Sequence, residues 1–138
     1  MTQIAPDSPD SRVARPENPG LELRQPMPQP GPSVAVIVPT LNERGNVHEL
    51  VERLERALAG DEWEVIFVDD DSTDGTAAVV RELSRTDRRV RCVQRLGRRG
   101  LSGACLEGML ASSAPYIAVI DGDLQHDEKL LPEMLADL

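Results

Sequence analysis

The stretch SVAVIVPTLNERGNVHELVERLERALAG, Ser33 to Gly60, decides the fold. Residues 33–39 form a run rich in β-branched side chains and stopped by Pro39, the composition of a buried strand. TLNERG follows as a loop. Asn46 then stands where a helix cap belongs, and Val47, Leu50, Val51, Leu54 and Leu58 recur at helical spacing until Gly60. A buried strand leading into an amphipathic helix is the first half of a β-α-β unit.

The same alternation continues along the chain. WEVIFVD (63–69) reads as a second strand, and DDSTDG as a turn in which Ser72, Thr73 or Asp74 caps a helix carrying Val79, Val80 and Leu83. VRCVQ (90–94) is a third strand and RLGRRG another loop. LSGACLEGMLASS, Leu101 to Ser113, predicts a helix of small residues. YIAVI (116–120) is a fourth strand, and DEKLLPEMLADL starts a fourth helix in which Pro132 marks either a kink or the first turn. The order β-α-β-α-β-α-β-α with continuous apolar strands predicts an α/β fold: a mostly parallel sheet with helices on both faces. Ligands of such sheets bind beyond the carboxyl ends of the strands, here Pro39–Glu43, Asp69–Asp71, Arg95–Gly100 and Asp121–Gln125.

Composition divides the chain in two. Eight of the eleven prolines fall in residues 1–32, which lack apolar periodicity, so a disordered or extended Pro-rich tail is expected there and a folded domain over 33–138. The tail has no apolar segment of the kind a signal peptide needs. A net charge of −9 argues against nucleic-acid binding. Arg85, Arg88, Arg89, Arg91, Arg95, Arg98 and Arg99 nevertheless crowd one segment, either as a solvated rim or as an edge that meets phosphate or an anionic membrane. Cys92 and Cys105 have no metal-ligand spacing and read as buried free thiols. No apolar run reaches membrane-spanning length, and a cytoplasmic protein is expected.

The acidic segments carry the chemistry. Asp121 and Asp123 leave the fourth strand on one side with a glycine between them, and Gln125 continues the alternation. Paired carboxylates repel unless a positive charge lies between them. Two carboxylates and an amide make an all-oxygen set that suits Mg²⁺ or Mn²⁺, and Gly122 lets a phosphate approach closely. The plainer reading is a solvated acidic turn with Asp123 or Asp127 capping the next helix. In VDDDSTDGT, Asp70 or Asp71 is placed to accept hydrogen bonds from a base or ribose, unless the segment is only an Asx-turn. No GxxxxGK[ST] loop is present.

VIVPTLNE, EVIFVDDDSTDGT, RRGLSGACLEGM and YIAVIDGDLQHDEKLLPEML, in that order, resemble the family 2 glycosyltransferases of the Rossmann-like GT-A fold, and among them the dolichol-phosphate (polyprenyl-phosphate) mannose synthases. The resemblance covers Ser33–Leu138. It implies that Pro39, Leu41, Glu43, Val68 and Asp70 hold the nucleotide of a sugar donor. Asp121, Gly122 and Asp123 would contact the diphosphate, with Asp123 and Gln125 as metal ligands. Leu41 stands where relatives often carry an aromatic residue that stacks on the base. The implied reaction is metal-dependent inverting transfer, with GDP-mannose the favoured donor and a polyprenyl phosphate the favoured acceptor. A lipid acceptor implies peripheral contact with the cytoplasmic face of a membrane. A phosphate acceptor is already ionised, so no general base is required; His126 reads as a surface or capping residue. Relatives continue well past this segment, so the chain reads as the amino-terminal, nucleotide-binding half of an enzyme.

Two alternatives remain at this level. A haloacid-dehalogenase-type phosphatase would use Asp121 as nucleophile beside Mg²⁺, although Gln125 departs from its usual motif. A non-catalytic nucleotide-sugar-binding fragment would keep the donor site without the transfer.

Overall fold

The computed structural model describes residues 30–138. Residues 1–29 of the expected tail lie outside the described residues. Strands β1 (Val34–Thr40), β2 (Trp63–Asp69), β3 (Val90–Gln94) and β4 (Tyr116–Val119) alternate with helices α1 (Val47–Ala57), α2 (Thr76–Thr86), α3 (Leu101–Leu110) and α4 (Leu130–Ala136). All ladders are parallel and the strand order is β3-β2-β1-β4. Val34 lies beside Trp63 and Tyr116, and Thr40 beside Asp69, so β1 and β2 end together while the β4 ladder stops at Val119, beside Ile37.

Alternation along the strands builds a core on each face. Val34, Val36 and Val38 of β1, with Val65 and Phe67 of β2, pack with Leu50, Val51 and Leu54 of α1, Val80 of α2 and Leu131 of α4. On the opposite face Ala35, Ile37, Ile66 and Val68 meet Ala104 of α3. Small residues are required there. A Cβ on Gly108 would lie 2.3 Å from Ile37 Cγ2 and 2.9 Å from Val68 Cγ2. The α/β reading with helices on both faces holds.

Local expectations fare unevenly. Asn46 is not a side-chain cap: a 3-10 turn over Arg44–Asn46 leads into α1, and Asn46 Nδ2 donates instead to Glu43 Oε2 at 2.7 Å. Asp74, one of the residues expected to cap α2, accepts the Thr76 N–H at 2.9 Å, with left-handed Gly75 (φ 90°) between them. Helix α3 ends at Leu110 rather than Ser113, where the Ser112 hydroxyl bonds Glu64 and accepts the Ala114 N–H. Pro132 sits in the first turn of α4, where its missing N–H has no intrahelical partner to lose. Both cysteines are free and half-buried rather than buried.

The arginine-rich segment is largely neutralised. Arg85 pairs with Glu82, Arg89 with Asp87 and Glu55, Arg91 with Glu64, Arg95 with Asp70 and Glu107, and Arg98 with Glu107. Arg89 also stacks over the Trp63 ring at 4.4 Å. The solvated-rim reading therefore accounts for most of it.

Candidate active site at the carboxyl ends of the strands

Among the described residues, three non-glycine residues adopt positive φ: Asn42 (57°), Asp71 (59°) and Leu124 (64°). They lie in the loops following β1, β2 and β4. Left-handed backbone in non-glycine residues costs free energy and persists where surrounding contacts fix it. Here the contacts are visible. Asp69, fully buried, accepts hydrogen bonds from the Thr40 hydroxyl (3.2 Å), the Ser72 N–H (2.9 Å) and the Ser72 hydroxyl (2.5 Å). Asn42 N–H donates to Ser72 Oγ at 2.8 Å and accepts the Thr73 N–H on its side chain at 3.0 Å. Glu43 N–H donates to Thr76 Oγ1 at 3.0 Å. Asp74 receives the Thr76 hydroxyl and the Arg44 N–H, which hold its carboxyl below the usual carboxylate range. The β1 and β2 loops are thereby stitched into one rigid rim.

The β4 end abuts that rim. A Cβ on Gly122 would lie 3.3 Å from both Thr40 Cγ2 and Glu43 Cγ, so the chain after β4 packs closely against the rim at this buried glycine. Asp121 and Asp123 flank it, both exposed. Asp121 Oδ2 lies 3.3 Å from His126 Nε2, and Asp123 Oδ1 accepts the Gln125 N–H at 3.0 Å. Asp127, one of the two alternative caps, accepts the Lys129 N–H at 3.2 Å ahead of α4. Asp123 instead forms its own Asx-type turn, with Oδ2 in no hydrogen bond among the described residues.

By strand alternation Pro39, Leu41, Val68, Asp70, Arg95 and Asp121 all belong to the α3 face. Leu41 is exposed at the rim and Glu43 is half-buried. Val68 is different: its side chain is fully buried under Gly108, so only its main chain is left for a ligand. Asp70 is buried and ion-paired to Arg95 at 2.7 Å. Sequence reasoning put Asp69 and Thr40 only within the strand ends and Ser72 only among the helix caps, and it missed the hydrogen bonds that join them and the Arg95 pairing. The alternation that placed Asp70 also places Arg95 on the same face of the neighbouring strand, and that signal was available.

β2 and β4 flank β1, so Asp70 and Gly122 sit two strand spacings apart, roughly 10 Å. A nucleoside diphosphate spans such a distance. Among the described residues no three His, Cys, Asp or Glu side chains converge on one point. The exposed side chains after β4, Asp123 and Gln125, offer only oxygen donors that a hard cation takes. This fits an Mg²⁺ or Mn²⁺ ion held by one or two protein groups and completed by substrate phosphates, and it does not fit a closed protein cage.

The sequence matches Glycosyl transferase family 2 over residues 35–138. It is 40% identical over 102 residues to a dolichol-phosphate mannosyltransferase of Pyrococcus furiosus, covering 74% of this chain and 29% of that protein. It is 36% identical over 108 residues to a dodecaprenyl-phosphate galacturonate synthase of Rhizobium johnstonii, covering 76% and 32%. A solved mannosyltransferase from Pyrobaculum calidifontis, in complex with GDP-Man and Mn²⁺, superposes with a TM-score of 0.65 at 28% identity, covering 78% of this chain and 32% of that one. The chain thus spans about a third of the length of these relatives.

Proposed function

This chain belongs to glycosyltransferase family 2 and has the GT-A architecture, and we propose that it forms the donor site of a metal-dependent, inverting transferase. The transferase would move a sugar from a nucleotide-sugar to a polyprenyl phosphate. The observation that carries this is the pair of exposed carboxylates, Asp121 and Asp123, on either side of Gly122, which packs closely against the β1–β2 rim. Pro39, Leu41, Glu43, the Val68 main chain and Asp70 receive the nucleoside, while Asp121, Gly122 and Asp123 receive the diphosphate. Asp123 and Gln125 would hold the divalent ion. When bound, that ion supplies positive charge against the charge that develops on the departing diphosphate. Arg98 is engaged by Glu107, which leaves Arg99 as the cation of this loop with no ion pair among the described residues.

In the transfer, an acceptor phosphate oxygen attacks the anomeric carbon as its bond to the donor diphosphate breaks, inverting that centre. No proton has to move. Both relatives above are named for a polyprenyl-phosphate acceptor but for different sugars, so the acceptor class has broader support than the sugar. GDP-mannose is favoured because the solved relative holds GDP-Man. Among the described residues no helix is long and apolar enough to cross a membrane. Peripheral contact at the cytoplasmic face follows from a lipid acceptor. Family membership removes the basis for the phosphatase alternative with Asp121 as nucleophile.

The test is incubation with labelled GDP-mannose, a polyprenyl phosphate and Mn²⁺. Label that becomes extractable into organic solvent, and no longer does so with EDTA, supports transfer by this chain. Nucleotide binding without transferred label limits it to donor binding.

A further inference from the structure

Arg95 is the one arginine that is buried among the described residues, 5% exposed at the carboxyl end of β3. Its guanidinium serves three acceptors at once. Nη1 donates to Asp70 Oδ1 at 2.7 Å and to the Gly100 carbonyl at 3.0 Å, and Nε donates to Glu107 Oε1 at 3.3 Å. The second Asp70 oxygen, Oδ2, accepts the Gly100 N–H at 2.7 Å. Asp70 is thus gripped through both oxygens, and each retains a lone pair for another donor. Helix α3 leaves room for the grip: a Cβ on Gly103 would lie 2.6 Å from Arg95 Nη2.

A buried ion pair adds little stability over apolar residues of equal volume. Its presence at a strand end is better explained by what it holds in place. We infer that Arg95 is a positioning residue, which fixes the Asp70 carboxylate for recognition of the nucleoside part of the donor and ties the 95–100 loop to it. This rests on the donor-site reading proposed above. A lysine keeps the charge but lacks the planar fork, so it cannot serve Asp70, Gly100 and Glu107 together.

The test titrates the full chain, in Mn²⁺, with GDP, UDP and inorganic pyrophosphate. Wild type is compared with Arg95→Lys, Asp70→Asn and the double variant, with thermal unfolding recorded for each. Arg95→Lys is expected to weaken the preferred nucleoside diphosphate about tenfold and to leave pyrophosphate, which touches only the β4 end, unchanged. In the Asp70→Asn background the lysine should add no further loss. If Arg95→Lys does not fold, Gly103→Ala, which crowds the guanidinium and keeps its charge, takes its place with the same expectation. Equal weakening of nucleotide and pyrophosphate, additive losses in the double variant, or wild-type affinity in a folded variant would each overturn the inference. If folded wild type binds pyrophosphate but neither nucleotide, the inference and the donor-site reading fall together.

Discussion

Gly108→Ala sets two effects of opposite sign against each other. Alanine is the better helix former, by about 1 kcal/mol in a helix interior. The new methyl, however, would sit 2.3 Å from Ile37 Cγ2 and 2.9 Å from Val68 Cγ2. Carbon atoms pack at about 3.5–4.0 Å, so the shortfall against Ile37 exceeds about 1 Å. Ile37 and Val68 are fully buried and β-branched, with little rotamer freedom to yield. Overpacking of this kind costs about 1–3 kcal/mol, and two stiff partners place it in the upper part of that range. The net expectation is destabilisation by about 1–2 kcal/mol, read in thermal unfolding as a Tm lower by roughly 5–12 °C. Helix α3 must lift to relieve the clash, which draws Gly100 away from Asp70 and should also weaken nucleotide binding. Gly45→Ala, with nothing within 4 Å of the new methyl, is the control and should stay within about 0.5 kcal/mol of wild type. A Gly108→Ala protein as stable as wild type, or more so, would refute the close approach of α3 to the sheet.

Three further outcomes are expected. The Arg89 guanidinium holds the Asp87 carboxyl below its ordinary value, so this contribution is complete above the unfolded pKa of about 4 and is lost as pH falls below it; Asp87→Asn should flatten the acid limb of a stability–pH series. Burial pushes the Cys92 thiol up, so Cys92 should resist iodoacetamide at neutral pH and label fully once urea opens the fold, as read by mass spectrometry. Leu41→Tyr restores an aromatic surface at the rim and should tighten nucleotide binding several-fold by calorimetry, because stacking on a base is worth about 1 kcal/mol or more; unchanged affinity would remove Leu41 from the nucleoside contact.

Sequence periodicity made the sheet legible because β1 and β2 are buried on both faces, so their apolar runs had one sensible reading. The strand ends marked a candidate site for a related reason: a parallel sheet gathers its carboxyl ends on one side. What stayed hidden were contacts between residues far apart in the chain. Asp69 looked like one of three equivalent aspartates, yet it alone accepts from Thr40 across the ladder and from Ser72. Asn46 had the residue type of a cap, but Glu43 three residues earlier drew its amide and a 3-10 turn replaced the capped start. The arginine cluster left a solvated rim and a phosphate-binding edge both open, because only Glu82 and Asp87 among its acidic partners lie nearby in the chain, while Glu55, Glu64, Asp70 and Glu107 come from other segments.

The most direct test of the central claim is calorimetric titration of GDP and of UDP into the purified chain, with and without Mn²⁺, alongside Asp123→Asn. The account predicts Mn²⁺-dependent binding of one nucleotide, with GDP favoured, and its loss in the variant at unchanged Tm. A folded chain that binds neither nucleotide, or binds equally well without Mn²⁺ and with Asn at 123, would contradict it.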